Sequence, residues 1–418
     1  MIPKFDIYKD KWAVTSDDVI KPGLTAIAEA LTLIGSPEKK LQIVHLAGTN
    51  GKGSTLTFLE AILMEHGLRV GKFMSPCILD VHDQIQVAKQ PISAEEMDRV
   101  FQQMQAAGLS GKLTDFELLT VAAFLHFVNS NVDVAIIEAG MGGLLDSTNV
   151  VTPIVSIIPS IALEHTKYLG NTIESIAHHK AGIIKQHQPV IIGELPLEAR
   201  AVIYKEARYK QATVLELDDQ FYIEHTKNGG CYTNEENGLR IANLLRKMKG
   251  PHQANNMALA ITAFFEVAIA LHVPVSIEGI QHGINKATIL GRFEEILPYI
   301  ILDGAHNPAS AETLVATIRQ EFPEERITFV IGILADKDVQ NVFNQLEQVS
   351  DCFYFVDFNN PRAMSAKDMV ELSGASQKEV LRDYVQFLQT QSENKCRTVV
   401  TGSLYLLTDV RNKLIGNN

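Results

Sequence analysis

The residues best equipped for chemistry lie in one run, Gly48-Thr49-Asn50-Gly51-Lys52-Gly53-Ser54-Thr55. Glycines let backbone approach an anion closely, so successive N–H groups can converge on it. Lys52 adds a point charge, and the hydroxyl of Ser54 or Thr55 can hold Mg²⁺. This is chemistry for phosphate groups. The run departs from the strict P-loop spacing, because Leu46 stands where the first glycine belongs and Gly53 separates Lys52 from Ser54. Two further oxygen donors stand at strand ends. Glu138 precedes Ala139-Gly140-Met141-Gly142-Gly143, and Ser75 lies in Met74-Ser75-Pro76. An acid at the tip of a parallel strand beside a phosphate loop is where a second Mg²⁺ ligand belongs.

The elements around these residues read as strand, loop and helix. Residues 41–47 are short, apolar and rich in branched side chains, as a buried strand is. Apolar positions then recur at helical spacing through Leu56, Leu59, Ile62 and Leu63 until Gly67. A helix opening there aims the positive end of its dipole at the loop. Further strands are expected at 69–73, 132–138, 154–158 and 189–192, with a loop at 79–87 and a turn at Lys21-Pro22-Gly23. Helices are expected at 24–34, 94–107, 113–129, 173–180 and 253–273. This alternation predicts an α/β fold, a P-loop-type doubly wound and mostly parallel sheet over residues 1–290. A small accessory β segment is expected at about 213–240, turning at Asn228-Gly229-Gly230. After a boundary near 285–292 the alternation restarts, with strands at 299–302, 327–332, 352–356 and 397–400. Helices near 309–322, 337–349, 366–372, 376–390 and 403–415 complete a smaller Rossmann-like domain over 291–418.

At 418 residues the chain is long for one core, which agrees with two domains. A net charge of −12 provides no general field for nucleic acid or an acidic membrane face, so anionic ligands need local sites and metal. The first residues lack a signal-type apolar core, and the most apolar stretch, 150–163, is interrupted by Pro153 and Pro159. Cys77, Cys231, Cys352 and Cys396 lie far apart and read as reduced thiols. The expectation is a cytoplasmic protein without nucleic-acid or membrane partners.

A series of motifs runs along the chain in order. HLAGTNGKGS at 45–54 is followed by SP at 75–76, FE at 116–117, EAGMGG at 138–143 and LDSTN at 145–149. EHT with LG at 164–170, HKAGIIK at 179–185 and HQANN at 252–256 come next. GR at 291–292, DGAHNP at 303–308, PR at 361–362 and TGSLY at 401–405 complete the set. With these the chain resembles the folylpolyglutamate synthase/dihydrofolate synthase family, a branch of the ATP-dependent Mur ligase superfamily. The resemblance implies amide formation through an acyl phosphate. The γ-phosphoryl group of ATP moves to the carboxylate of a folate or dihydropteroate, and the amine of L-glutamate then attacks. It implies Lys52, Glu138, His165 and Lys180 as catalytic residues, and Ser54, Ser75, Glu138 and His165 around Mg²⁺ at two sites. Residues 48–55 would cradle phosphate, Asn256 and Arg292 would meet adenine and phosphate, and Asp303 and His306 would close over ATP or glutamate. Lys180 matches a position that is carbamylated by CO₂ in relatives. A carbamate is an anion that can position the metal, where an ammonium would repel it. A monomer acting on small molecules is expected.

The chain also departs from the family pattern. Glu164 replaces an aspartate, and Leu144 replaces the arginine after the Gly-Gly of the metal strand. Cys77 and Asp83-Gln84-Ile85 replace a histidine and a Glu-Arg-Ile, and Ile289 replaces a tryptophan. Two missing arginines remove donors for a carboxylate on the substrate side. Two other readings therefore stand: the same machine with a non-folate acid, and a nucleotide-binding paralogue that has lost ligase activity.

Overall fold

The computed structural model describes residues 2–17, 23–226, 229–236 and 238–416. They form two compact units, Met1–Lys247 with Ala254–Ala287, and Met248–Gln253 with Thr288–Asn418.

The first unit is built on β1 (Ile43–Leu46), β2 (Val70–Phe73), β3 (Ile85–Val87), β4 (Gln90–Pro91), β5 (Val134–Glu138), β6 (Val155–Ile158), β7 (Val190–Ile192) and β8 (Val214–Glu216). Among the described residues these make one sheet in the order β4-β3-β2-β5-β1-β6-β7-β8. The strands from β2 to β8 in that order run parallel, while β3 and β4 turn back antiparallel at one edge. The central strands β1, β2, β5 and β6 are buried along their whole length, as strands covered on both faces must be. The helix Lys52–Glu65 follows β1, and nearly all of its residues after the first turn are buried. The helix Asp115–Asn129 opens on a capping box: Glu117 Oε2 accepts from Thr114 N at 2.8 Å, and Thr114 Oγ1 accepts from Glu117 N at 3.4 Å.

Several expectations need correction. The segment 79–87 is no plain loop, because Ile85 and Val87 point inward as β3, a run too short to show a period. β8 joins the main sheet, so the accessory sheet begins later and runs further than 213–240. It consists of β9 (Phe221–Thr226), β10 (Gly229–Asn234) and β11 (Leu239–Leu244). The reversal between β9 and β10 falls where a turn is expected, with Gly229 and Gly230 already paired opposite Thr226 and His225. Asn228 of that turn, and Lys21 and Pro22 of the earlier one, lie outside the described residues. The helix His252–Leu271 is apolar enough to span a membrane by length and composition, yet 67% of its most apolar window is buried in the protein, as in a core helix.

The second unit contains β12 (Glu294–Leu297), β13 (Ile300–Leu302), β14 (Thr328–Ile331), β15 (Cys352–Phe355), β16 (Gln377–Val380) and β17 (Thr398–Thr401). Their order is β12-β13-β17-β14-β15-β16, with only β12 antiparallel to its neighbour among the described strands. The helix expected over 376–390 is instead β16 followed by the helix Tyr384–Glu393. Gln377, Lys378 and Glu379 form an exposed edge, where no buried face imposes an apolar alternation. The four cysteines are free thiols, as expected.

Candidate active site

Register brings three strand ends together. Leu46 of β1 lies opposite Glu138 of β5, and Phe73 of β2 lies opposite Ile137. The carboxyl ends that carry Gly48, Ser75 and Glu138 are therefore neighbours on one edge, where open α/β sheets bind ligands.

The phosphate loop is tied down from the far side by the segment after β6. Thr49 N donates to Ser160 O (2.9 Å), Asn50 N donates to Ser160 Oγ (3.0 Å), and Thr49 Oγ1 and Ala162 exchange bonds of 3.0 and 3.1 Å. Gly51 has φ of 84°, and a Cβ there would meet Asn256 Oδ1 at 2.5 Å. Only glycine suits that position. The helix opens at Lys52, and its first backbone bond runs from Thr55 N to Gly51 O at 2.9 Å, so the N–H of Gly53 comes ahead of the helical ladder. Asn256, buried in the same unit, accepts from Thr55 Oγ1 at 3.4 Å.

Lys52 Nζ donates to Gly48 O (2.9 Å) and Thr49 O (3.2 Å) and lies 3.7 Å from Glu138 Oε1. Lys180, on the last turn of the helix Ile173–Ala181, is only 3% exposed. Burial pushes its ammonium down to about 7, and the Lys52 charge pushes the same way against Glu164 and Asp146. Lys52, Glu138 and Lys180 thus share one electrostatic neighbourhood. Ser75 stands at the adjoining strand end. His165 sits on an exposed lip in left-handed conformation (φ 51°), at the start of the short helix Thr166–Leu169, rather than in the buried cluster.

Behind Glu138 lies a set of residues that motif reading assigns no role. Asp146 accepts from Met141 N (2.8 Å), Thr148 N (3.0 Å) and Thr148 Oγ1 (2.5 Å), which fixes the glycine turn after Glu138. Thr148 spends its proton on Asp146, so His45 Nε2 donates to Thr148 Oγ1 at 2.9 Å. Burial drops the His45 imidazolium to about 3, with Lys185 adding to the effect, so the ring is neutral. The sequence signal for it is a histidine inside an otherwise apolar strand.

The unusual substitutions have local partners. Leu144 lies against Gly182, where a Cβ would approach Leu144 Cα to 2.4 Å, so it packs where an arginine would reach out. Asp83 Oδ2 accepts from Ile78 N (2.9 Å) and Leu79 N (2.6 Å), and burial pushes its carboxyl up to about 6. Burial, with Asp83 and Asp80, pushes the Cys77 thiol up to about 12, which leaves it protonated and no nucleophile.

In the second unit, Asp303 Oδ2 accepts from Phe293 N (2.9 Å) and Oδ1 from Ala305 N (3.0 Å). Burial raises its carboxyl, and the neighbouring Arg292 guanidinium opposes the rise. His306 Nδ1 donates to Gly304 O at 2.8 Å, and Asn307 caps the helix Pro308–Glu321 through Ser310 N. Asp303 and His306 therefore lie on one helix-opening turn, and the Arg292 guanidinium packs against it at Gly304.

The donors beside the phosphate loop are a hydroxyl and a carboxylate. No group of three or more His, Cys, Asp or Glu side chains poised for a metal occurs among the described residues. Hard oxygens in small number fit Mg²⁺ completed by phosphate oxygens, and do not fit a thiolate or imidazole metal.

Residues 46–264 match the family model of the Mur ligase middle domain, and residues 294–413 that of the dihydrofolate synthetase C-terminal domain. Over 410 residues the chain is 37% identical to the dihydrofolate synthase/folylpolyglutamate synthase of Bacillus subtilis, covering 94% of this chain and 95% of the relative. The chain belongs to the folylpolyglutamate synthase/dihydrofolate synthase family of ATP-dependent ligases. A folylpolyglutamate synthase of Lacticaseibacillus casei is 34% identical over 406 residues, covering 93% of this chain and 94% of the relative. Among solved structures, an Escherichia coli family member with DHPP and ADP superposes with a TM-score of 0.88 at 29% identity, covering 98% of this chain and 97% of that one. A folylpolyglutamate synthase complex with AMPPCP and folate gives 0.85 at 31% identity, covering 98% and 99%.

Proposed function

We propose that this chain joins the carboxylate of a pteroyl substrate, a folate or dihydropteroate, to the amine of L-glutamate with conversion of ATP to ADP and phosphate. The observation that carries the reading is the grouping of Lys52, Glu138 and buried Lys180 at the mouth of the phosphate loop. The loop N–H groups and the helix dipole bind the triphosphate, and Lys52 offsets its charge. Ser54, Ser75 and Glu138, with His165 from the lip, would hold Mg²⁺ at two sites, which supplies charge neutralisation on the phosphates. Lys180 is largely neutral near physiological pH, so its Nζ can attack CO₂; an N–C bond forms, one proton leaves to solvent, and a carbamate anion results. The acid's carboxylate oxygen takes the γ-phosphoryl group and ADP departs. The glutamate amine then attacks the acyl carbon, phosphate leaves, and the amine's proton passes to solvent. The protein's contribution is placement and charge. In this reading residues 1–290 form the ATP-binding domain, with Asn256 toward adenine, and residues 291–418 form the glutamate-ligase domain. Within the latter, Arg292 takes phosphate and Asp303 and His306 take ATP or glutamate. The enzyme acts as a monomer in the cytoplasm.

A second reading, a non-folate acid, is favoured by the packed Leu144 and by Asp83 bonded into its own loop, which leave the substrate side short of cationic donors. ADP release with dihydropteroate, tetrahydrofolate and unrelated carboxylates, each with glutamate, separates the two. The expected result is glutamate-dependent turnover of a pterin with a product heavier by one glutamyl residue. No turnover on any pterin removes the folate reading, and ATP binding without ADP release on any acid identifies a paralogue that has lost activity.

A further inference from the structure

The loop that carries Ser75 is braced by the amino-terminal helix Phe5–Trp12. That helix rests on the helix Ala94–Ala106, where the rings of Phe5 and Tyr8 lie 5.6 and 5.7 Å from the ring of Phe101. From this base, three contacts reach residues 80–82. Val81 N donates to Pro3 O (3.1 Å), Lys4 Nζ lies 2.7 Å from Asp80 Oδ2, and Tyr8 Oη meets His82 Nε2 at 2.7 Å. His82 Nδ1 lies 2.7 Å from Asp80 Oδ1. A carboxylate only accepts, so Nδ1 is the donor toward Asp80, and Nε2 shares the other hydrogen bond with the Tyr8 hydroxyl. Tyr8, His82 and Asp80 thus form one chain of hydrogen bonds from the buried face of a surface helix to a loop.

The loop itself closes where Met74 N donates to Gln84 O at 3.0 Å. It grows from the carboxyl end of β2, whose neighbour β5 ends in Glu138, and the phosphate loop lies on the other side of β5, after β1. With the triphosphate taken by the β1 side, the β2 side is where the acid to be phosphorylated must present its carboxylate.

We propose that Tyr8, His82 and Asp80 are positioning residues that hold the 74–84 loop in the conformation receiving the carboxylate substrate, and so set the KM for that substrate without touching it. The inference rests on the ligase reading above. It separates this loop from the phosphate loop, which is fastened independently through Thr49 and Ser160.

Tyr8→Phe removes one hydroxyl and keeps the ring against Phe101. His82→Asn keeps an N–H toward Asp80 and lacks the atom that meets Tyr8. Both variants and their combination are made in the full chain. KM and kcat are measured for the pteroyl acid that the wild type uses, and KM for ATP. Each single change is expected to raise the acid KM by roughly three- to tenfold, the effect of one hydrogen bond. kcat and the ATP KM are expected to stay within about twofold, and the double variant to match the worse single one, since both break the same link. An unchanged acid KM in Tyr8→Phe, a parallel rise in the ATP KM, or multiplying effects in the double variant would each overturn the inference. A wild type that turns over no pteroyl acid defeats the ligase reading and this inference with it. A working wild type with an indifferent Tyr8→Phe defeats the inference alone.

Discussion

Lys180 should take up CO₂ near neutral pH far more readily than a surface lysine, and the pH dependence of that uptake tests the burial responsible. The perturbation is removal of dissolved CO₂ until activity decays, then its return at fixed dissolved concentration across a pH series. Only the neutral amine attacks CO₂. With the ammonium at about 7, the neutral fraction is about 97% at about pH 8.5 and about 9% at about pH 6, roughly an elevenfold fall. An ordinary lysine would offer about 1% and about 0.003% over the same interval, roughly a 300-fold fall. The sign is fixed by the direction of the shift. A depressed lysine is neutral above about 7, so the recovery rate should level off there and drop only below it. By linkage, the unfolded chain holds this proton up to the ordinary lysine value of 10.5 while the folded chain releases it near 7. The contribution of Lys180 to stability therefore improves as pH rises through that window and is least favourable below it. The assay is the recovery of glutamate-dependent ADP release, with isotope-labelled CO₂ reporting the carbamate carbon by NMR. Recovery that climbs about tenfold per pH unit up to about pH 10 would refute the burial argument. Wild-type turnover in Lys180→Ala would remove the residue from the site, whereas partial rescue of that variant by small carboxylates would support a carbamate.

Gly51→Ala forces a side chain onto φ of 84° and against Asn256 Oδ1; we expect the ATP KM to rise roughly tenfold or more, with circular dichroism unchanged. Lys72→Met strips the partner from Glu60, which is 1% exposed and holds Lys72 Nζ at 2.8 Å. The expected cost is about 3–5 kcal/mol by urea unfolding, with Lys72→Met and Glu60→Leu together recovering most of it. Burial holds His45 down at about 3 against the ordinary histidine value of 6.5, so the unfolded chain binds the extra proton between them and stability falls as pH drops through that range. Replacing it with Asn should flatten the decline, removing on the order of 2–3 kcal/mol of the loss between about pH 7 and pH 4.5 in urea titrations.

Legibility in the sequence follows the range of the interaction. The phosphate loop shows because strand, glycines and helix are contiguous, so its whole signal fits within residues 43–65. Glu138 shows because a buried strand ends in an acid just before glycines. The link from His45 to Thr148 spans 103 positions and depends on strand order, which no local pattern carries. The helix Leu197–Lys210 is absent from the sequence reading because two alanines, Ala199 and Ala207, stand with Ile203 on its buried face, where larger residues would mark the stripe. The three-residue strand β3, next to the edge strand β4, and the edge strand β16 lack the two-sided burial that makes β1 and β5 conspicuous. Leu144 and Asp83 are visible as departures from the family pattern, but only packing shows that they serve neighbouring backbone.

The second unit takes six residues, Met248–Gln253, from ahead of a stretch, Ala254–Ala287, that belongs to the first. Lys249 pairs with Glu321 at 3.0 Å, and Gly250 lies against Thr317 so tightly that a Cβ would come within 2.4 Å of its hydroxyl. A gene truncated to begin at Thr288 would therefore encode a fragment missing part of its own fabric. Chimeras that exchange carboxy-terminal halves between relatives need two splice points, because this boundary was never one cut in the polypeptide.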